Sequence, residues 1–285
     1  MIKGAKERNQ RAEKAKDRAR MFSFTNGMST FPEAIAGQLK DRVKLEADVV
    51  GVVRGGHCNN DPAHSFIVSY DSGGRRYSIE AGCIIVAVPS YAAGNILSHS
   101  KTLVPKLNEI YYPPVAEVFL GFGSDQINRP LDGFGYLIPA KEKRKILGTI
   151  WSSVLFPNRA PEGHVALTTF IGGSRQPELC ERDDKELVQI VTQELQSIMN
   201  VSDSPVFSKI IRWQKAIPQY NLGYNKIVEE MEQYEAKNSG LFFCSNFKGG
   251  IAVGDCVISG KKVAEKILAR VPSSGTKQKA VVKAK

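Results

Sequence analysis

The sequence lacks the short patterns that mark metal sites and nucleotide phosphates. None of its five cysteines forms a Cys-x-x-Cys pair, and none of its four histidines lies at ligand spacing. This excludes an ordinary zinc site, and cysteines without a pairing pattern are typical of a reduced compartment. Neither a P-loop nor the Gly-x-Gly-x-x-Gly pattern of dinucleotide-binding folds occurs, so the usual phosphate-binding loops are missing from the chain.

Long apolar runs are also missing. The longest, "CIIVAVP" at residues 83–89, is far too short to span a bilayer, and no secretory signal peptide is visible. We therefore expect a cytoplasmic chain, or an organellar one if the source is eukaryotic. Contact with a membrane would be peripheral.

The positive charge is concentrated at the two ends of the chain. Of the net charge of +10, residues 1–20 carry +5, from eight Lys/Arg against three acids, and residues 271–285 carry four lysines and no acid. Residues 21–270 are therefore left with about +1, which argues against a nucleic-acid groove in the folded body. The tails are interpreted either as solvated segments or as contacts to an anionic membrane surface.

The first part of the chain predicts a helix followed by strands. The helix lies in "STFPEAIAGQLKD", and the strand-like runs are "RVKLEADVVGVV", "HSFIVSYD" and "RRYSIEAGCIIVAVP". The last two runs are separated by Asp71-Ser72-Gly73-Gly74, a turn signal. Because Cys83–Val88 is apolar without a break, we expect that strand to be covered on both faces, as in a parallel sheet.

The sequence pattern of residues 111–220 is typical of an antiparallel sheet. Successive strand candidates are "VAEVFLGFG", "GFGYLIP", "KILGTIWSSV", "GHVALTTFIGG" and "PVFSKIIRW", with a helix at "KELVQIVTQELQSIM". The predicted fold class is mixed α/β. We expect a partial FAD-binding Rossmann-like domain at 21–92 and 216–270, an inserted substrate domain at 93–215, a basic helical stub at 1–20 and a disordered basic tail at 271–285.

A strand, a loop and a helix are predicted near the end of the chain, in "GLFFCSNFKGGIAVGDCVISGKKVAEKI" at residues 240–267. The start of its helix presents backbone amides and the positive end of a helix dipole. Asp255 is interpreted either as a first-turn acid that stabilises the helix start or as a general base. Gly260 is expected to let the helix pack closely on its strand.

Several motifs, in order from about Met21 to Leu268, resemble those of protoporphyrinogen oxidases, flavoenzymes of the amine oxidase superfamily. They are "FSFTNGMSTFPEAI", "DRVKLEADVVGVV", "IIVAVP", "RAPEGHVALTTFIGGSR", "RWQKAIPQYNLGY" and "GLFFCSNFKGGIAVGDCVISG". The narrower matches are "TTFIGGSR", "AIPQY" and "GGIAVGDC". The resemblance implies FAD as cofactor and oxidation of protoporphyrinogen IX to protoporphyrin IX with oxygen as acceptor, in heme or chlorophyll biosynthesis.

The same resemblance implies roles for individual residues at the cofactor. Val49 would contact the adenine end of FAD through its backbone, and Trp213 would lie near the flavin. Ile251, Ala252 and Val253 would lie against the isoalloxazine ring. The cofactor carries the redox step, so the absence of a Ser/His/Asp or paired-carboxylate constellation is expected, and no residue is assigned as catalytic.

Roles at the substrate follow in the same way. Phe170 would stack on a pyrrole ring, while Leu137 and Ile150 would clamp another ring. Taken alone, these three residues and Val49 are also typical of core positions. A pocket for an apolar macrocycle with acidic propionates should be apolar and aromatic with a few cations, and four further aromatics occur around these strands: Phe134, Tyr136, Trp151 and Phe156.

The departure from the family is large, since a complete member begins with the strand and glycine pattern that bind the FAD pyrophosphate, followed by a helical domain. A misplaced start codon, a split gene whose partner chain supplies the first half, and a decayed fragment all remain open. We expect the chain alone to bind FAD too weakly to detect. The alternatives are another amine oxidase-type flavoenzyme, such as a carotenoid desaturase, and a non-catalytic tetrapyrrole-binding fragment.

Overall fold

The computed structural model describes residues 22–55, 66–98, 105–270 and 282–284. The predicted basic stub at 1–20 and most of the predicted tail lie outside these residues. The α-helices are Thr30–Leu39 (α1), Ser90–Leu97 (α2), Ser152–Leu155 (α3), Asp184–Met199 (α4), Tyr224–Lys237 (α5) and Val253–Leu268 (α6). Short 3-10 turns occur at Lys40–Arg42, Leu107–Glu109, Ser124–Gln126, Ala140–Glu142 and Pro177–Glu181.

The strands follow the predicted order. They are Asp48–Arg54 (β1), Phe66–Ser72 (β2), Arg75–Ala81 (β3), Ile84–Val86 (β4), Val115–Gly123 (β5), Gly135–Leu137 (β6), Ile146–Ile150 (β7), His164–Gly172 (β8), Phe207–Trp213 (β9), Leu241–Phe243 (β10) and Val282–Ala284 (β11). The run "RRYSIEAGCIIVAVP" is two strands rather than one, since β3 ends at Ala81 and β4 begins at Ile84.

A five-stranded antiparallel sheet, in the order β6-β7-β8-β5-β9, has one face covered by α4. Every second residue of β5 is fully buried, namely Ala116, Val118, Leu120 and Phe122, and they pack with Leu187, Val191 and Leu195 of α4. Burying each large side chain contributes roughly 1.5–3 kcal/mol. The predicted antiparallel sheet with a supporting helix is confirmed.

Local signals fix both ends of α4. The Asp183 side chain accepts a hydrogen bond from the Glu186 amide at 2.8 Å, which caps the first turn. Asn200, in the left-handed region at φ +54°, ends the helix.

A second hydrophobic cluster joins segments that are distant in sequence. It combines Val52 and Phe66 of the β1-β2-β3 sheet with Met231 and Tyr234 of α5 and with Phe243 of β10. Leu107, which the sequence assigned to the inserted domain, also belongs to this cluster. The division into domains stays a prediction.

The pair β4-β10 is parallel, with Ile84, Ile85 and Val86 opposite Leu241, Phe242 and Phe243. The parallel arrangement expected from the unbroken apolar run is confirmed. Its coverage on both faces is not, because the Ile85 side chain is 48% exposed.

The two outer edges of this pair differ. On β10 the Leu241 amide donates to the Asn238 carbonyl at 2.9 Å, and the Phe243 amide donates to the Glu235 carboxylate at 2.7 Å. On β4 the amide of Ile84 and the carbonyl of Val86 bond toward the β10 side, so the backbone groups of Ile85 point to the other edge. No described residue bonds to them there, which leaves the β4 edge open.

Three residues of the predicted disordered tail form a strand. Val282–Ala284 pair antiparallel with β3, with Lys283 opposite Ser78, and disorder of the tail stays a prediction. Within the described ranges, no helix combines the length and apolarity needed to cross a bilayer.

Candidate functional site

The open face of the five-stranded sheet, opposite α4, brings the predicted substrate residues together. Strand register aligns Leu137 of β6 with Gly148 of β7, Gly148 with Phe170 of β8, and Phe170 with Glu117 of β5. Directly opposed residues of antiparallel strands share a face. Leu137, Phe170 and Glu117 therefore lie in one row across the sheet.

A cavity of about 470 Å³ lies over this row. Its lining includes three residues that the resemblance singled out, Leu137, Phe170 and Trp213, in addition to Val115, Glu117, Ala216 and Ile217, which it did not. Leu137 is 86% exposed and Trp213 is 50% exposed. The cavity is thus an apolar depression with an open side, and its volume is within the roughly 300–1,000 Å³ usual for ligand sites.

One carboxylate interrupts the apolar lining. The Trp213 indole N–H donates to Glu117 Oε1 at 3.1 Å, which fixes the ring plane of Trp213 against the cavity wall. The sequence "VAEVFLGF" already indicated that Glu117 faces the cavity side, because alternation places it on the face opposite the fully buried residues of β5.

Ile150 does not line the cavity. It pairs with Thr168, two residues from Phe170 on β8, so it lies on the same face but one row away. The four further aromatics are not in the cavity lining either. Trp151 is buried in the core on the α4 side, Tyr136 packs against that core, and Phe134 is exposed. Sequence order does not fix the row that a residue joins, and a role for these aromatics at a substrate stays a prediction.

Another cavity, about 820 Å³, lies between α4 and β9. Its lining is mainly glutamine, serine and lysine side chains, among them Gln189, Gln193, Ser208 and Lys209, and it contains none of the predicted site residues. A polar cleft of this kind does not suit an apolar macrocycle. The smaller cavity over the open face is the better candidate for binding an apolar ligand.

The predicted flavin contacts lie at the start of α6. Ile251 and Val253 are exposed, and Ala252 occupies the N-cap position, where its methyl group cannot accept a hydrogen bond from the first-turn amides. Gly250, at φ +128°, sets the path into the helix. An apolar surface beside a helix start without a capping side chain fits one edge of a flavin ring.

A short segment connects this loop to the cavity. Ala216 and Ile217 line the cavity, and Tyr220, three residues further on, donates to the Asn246 carbonyl at 2.6 Å. Tyr224 Oη donates to the Phe247 carbonyl. Burial raises the pKa of Tyr224 well above its usual value, so it remains a donor throughout the neutral range.

Three other predictions have mixed outcomes. Val49 packs against the second hydrophobic cluster, away from the cavity lining, and its role at adenine stays a prediction. A Cβ on Gly260 would meet nothing within 4 Å, so close packing at Gly260 is wrong. Asp255 lies in the first turn of α6, with Oδ2 2.5 Å from the position of a Cβ on Gly250, and both interpretations of this acid stay predictions.

Comparison with known proteins gives a family match over residues 3–268, to the model described as flavin containing amine oxidoreductase. The chain belongs to this family. Its members are oxidoreductases, and the flavin expected from the sequence is confirmed at the family level. The amine oxidoreductase assignment also agrees with the mixed α/β fold and its antiparallel sheet.

Individual relatives narrow the resemblance. The chain is 32% identical over 265 residues to protoporphyrinogen oxidase 2 of Arabidopsis thaliana, across 90% of this chain and 52% of the relative. It is 25% identical to coproporphyrinogen III oxidase of Bacillus subtilis, across 87% of this chain and 51% of the relative. The resemblance to protoporphyrinogen oxidases is confirmed, and the chain spans about half the length of the curated relatives it matches.

The fold has a solved counterpart. A crystal structure named "Putative protoporphyrinogen oxidase" from Exiguobacterium sp. 255-15 superposes with a TM-score of 0.71 at 21% identity, covering 87% of this chain and 52% of that one. At this identity the likeness shows the fold of the amine oxidoreductase chain, not its substrate.

Proposed function

We propose that this amine oxidoreductase chain carries the substrate-binding part of a flavoenzyme that oxidises protoporphyrinogen IX to protoporphyrin IX in tetrapyrrole biosynthesis, with oxygen as acceptor. The observation that supports it is that Leu137, Phe170 and Trp213 line one apolar cavity; motif resemblance selected these positions independently of geometry. The relatives named for porphyrinogen oxidation support the substrate class.

The residues of the chain would bind and orient the macrocycle. Phe170 offers an aromatic face to a pyrrole ring, and Leu137 and Leu147 supply aliphatic contact. One cation lies next to the lining. Arg175 donates to the Ile138 carbonyl at 2.6 Å, next to Leu137. A guanidinium at this position is suited to an acidic propionate.

The start of α6 would hold the flavin ring through Ile251, Ala252 and Val253, with Trp213 nearby. FAD, when bound, supplies the hydride acceptor for a bridging carbon of the macrocycle. The Ala216–Tyr220 segment ties the cavity to the loop before α6, so substrate and flavin positions depend on the same anchored backbone. That anchoring supplies orientation, which is the protein's main contribution in such a reaction.

A partner polypeptide carrying the dinucleotide-binding half is part of this proposal. The open edge of β4, the 48% exposure of Ile85 and the exposed apolar side chains of α6, Val253, Val257 and Ile258, support it. Parallel sheets are rarely stable as uncovered pairs of strands. A parallel strand added beside β4 would complete the sheet.

Porphyrin titration of the 285-residue chain tests the proposed function. Protoporphyrin IX, the reaction product, is a stable probe whose fluorescence changes on binding. We expect saturable binding that Phe170→Ala weakens by about tenfold, since an aromatic contact contributes about 0.5–1.5 kcal/mol beyond burial. Phe134→Ala is the matched control, because Phe134 is exposed and outside the cavity lining.

Parallel titrations with a polyene and with an alkylamine separate the alternatives. Preference for either over the porphyrin would replace the proposed substrate with that of a desaturase or an amine oxidase. Equal effects of the two phenylalanine substitutions on porphyrin binding would show that the macrocycle binds elsewhere.

A further inference from the structure

Glu117 is the one acidic side chain in the lining of the 470 Å³ cavity. Its neighbours there are apolar or aromatic, and it occupies the middle of the cross-strand row, opposite Phe170 on β8 and Ile211 on β9. Glu117 is only partly buried, so water can reach its carboxylate while the cavity is empty. A ligand that covers it and excludes this water must offer donors in return.

The hydrogen bonds of Glu117 leave part of the carboxylate unused. Oε1 accepts from the Trp213 indole N–H at 3.1 Å, and no other described residue donates to the carboxylate. An ionised carboxylate has about four acceptor positions on its two oxygens. A ligand that enters this cavity therefore meets a fixed acceptor with free capacity.

The reduced macrocycle carries matching donors. Every pyrrole nitrogen of a porphyrinogen bears a hydrogen, and the saturated bridges let the rings tilt so that these N–H groups reach out of the mean plane. The oxidised porphyrin is flat, and only half of its nitrogens bear a hydrogen. An acceptor placed over the face of the macrocycle therefore binds the reduced form better than the oxidised one.

We propose that the Glu117 carboxylate accepts hydrogen bonds from the pyrrole N–H groups of the reduced macrocycle and so determines specificity for a porphyrinogen over its porphyrin product. This inference rests on the proposed function and adds to it a recognition residue and a direction of preference. Trp213 acts as the positioning residue, because its indole N–H holds the carboxylate in place.

Two ligands with the same periphery test the inference on the full chain. Protoporphyrinogen IX, prepared by chemical reduction and kept anaerobic, carries the N–H donors. Palladium protoporphyrin IX carries none, and its square-planar metal takes no axial ligand from a carboxylate. Affinities come from competition with a bound fluorescent porphyrin. Charge-assisted hydrogen bonds predict that Glu117→Leu weakens protoporphyrinogen binding by about tenfold or more and leaves the palladium complex within about twofold.

Two further variants separate recognition from structure. Glu117→Gln keeps one carbonyl acceptor, so we expect it to recover part of the lost affinity for protoporphyrinogen. Glu80→Leu removes an acid from an exposed position of β3, in another sheet, and should change neither ligand. Thermal unfolding of each variant shows that the fold is kept.

The outcomes are distinguishable. Equal weakening of both ligands by Glu117→Leu would overturn the inference, because it would show that Glu117 acts only by holding Trp213. An unchanged affinity for protoporphyrinogen would overturn it as well. A wild-type chain that binds neither macrocycle would instead overturn the proposed function.

Discussion

At the scale of residues, the loop before α6 depends on one glycine. Gly250 has φ +128°, a conformation that L side chains rarely adopt, and the Asp255 side chain covers the space that a Cβ would need. The carboxylate of Asp255 therefore lies directly over the backbone that leads into the predicted flavin contacts. Glycine at this position is a geometric requirement, whereas Gly260 is not.

Gly250→Ala is expected to destabilise the chain by about 1–3 kcal/mol, the usual cost of a residue held in a disfavoured backbone region. Thermal or denaturant unfolding measures the loss. The matched control is Gly260→Ala in the middle of α6, where a Cβ meets open space, and a gain of about 0.5–1 kcal/mol is expected. Equal effects of the two substitutions would show that the loop relaxes freely around Gly250.

At the scale of elements, sequence patterns located strands better than they located side chains. The strands β5, β8 and β9 and the helix α4 lie within two residues of their predicted bounds, because their alternation or helical periodicity is unbroken. The helix α5 was missed, although Ile227, Met231 and Tyr234 recur at helical spacing. The other positions of α5 are rich in glutamate, which makes the apolar stripe formed by these three residues hard to recognise in the sequence.

The cavity was predicted less completely for a physical reason. Membership depends on which row of the sheet a residue joins, and the sequence does not fix how β7 pairs with β8. Ile150 is two residues beyond Gly148 and pairs with Thr168, one row away from Phe170; its role at the substrate stays a prediction. Glu117 was missed because strand prediction uses only the alternation of buried and exposed positions. It does not test which exposed position carries a charged side chain in an otherwise apolar row.

Tyr224, the first residue of α5, holds the loop that follows β10 through its bond to the Phe247 carbonyl, and this gives a dependence on pH. Burial raises the pKa of Tyr224 in the folded chain. Above the usual tyrosine pKa of about 10, the unfolded chain loses this proton while the folded chain keeps it, so the free energy of unfolding falls as pH rises. The contribution of Tyr224 is complete below about pH 10 and declines above it.

Tyr224→Phe should therefore lower stability at neutral pH by about 1 kcal/mol, because the Phe247 carbonyl loses its donor. The difference between wild type and variant should shrink above pH 10. Urea unfolding at a series of pH values measures this difference. Tyr111→Phe, at an exposed tyrosine, is the control. A difference that stays constant with pH would contradict the role of burial.

At the scale of the whole molecule, the proposed substrate cavity and the proposed flavin contacts differ in how much of a site the described residues supply. The apolar cavity is formed entirely by residues of this chain, whereas the helix start of α6 offers only apolar contact and backbone amides to a flavin. We therefore expect this chain to bind the macrocycle without binding FAD detectably, since only FAD binding needs a pyrophosphate-binding loop.

FAD added to the purified chain should leave its melting temperature unchanged, because a ligand stabilises a protein only to the extent that it binds the folded state. Protoporphyrin IX should raise the melting temperature under the same conditions. Copurification of stoichiometric FAD with the 285-residue chain would contradict the first expectation. A supplied polypeptide with a Gly-x-Gly-x-x-Gly strand and helix should restore the FAD-dependent shift.

The unequal edges of the β4-β10 pair also limit self-association. Glu235, which is itself bonded to Lys248 at 2.6 Å, and the Asn238 carbonyl occupy the outer edge of β10, so only β4 can accept another strand. A sheet with two free edges can add copies without end and grow into a fibre. Because the β10 edge of this pair is blocked, two copies that paired through β4 would leave no free edge on either pair. Association through these edges would therefore stop at a dimer.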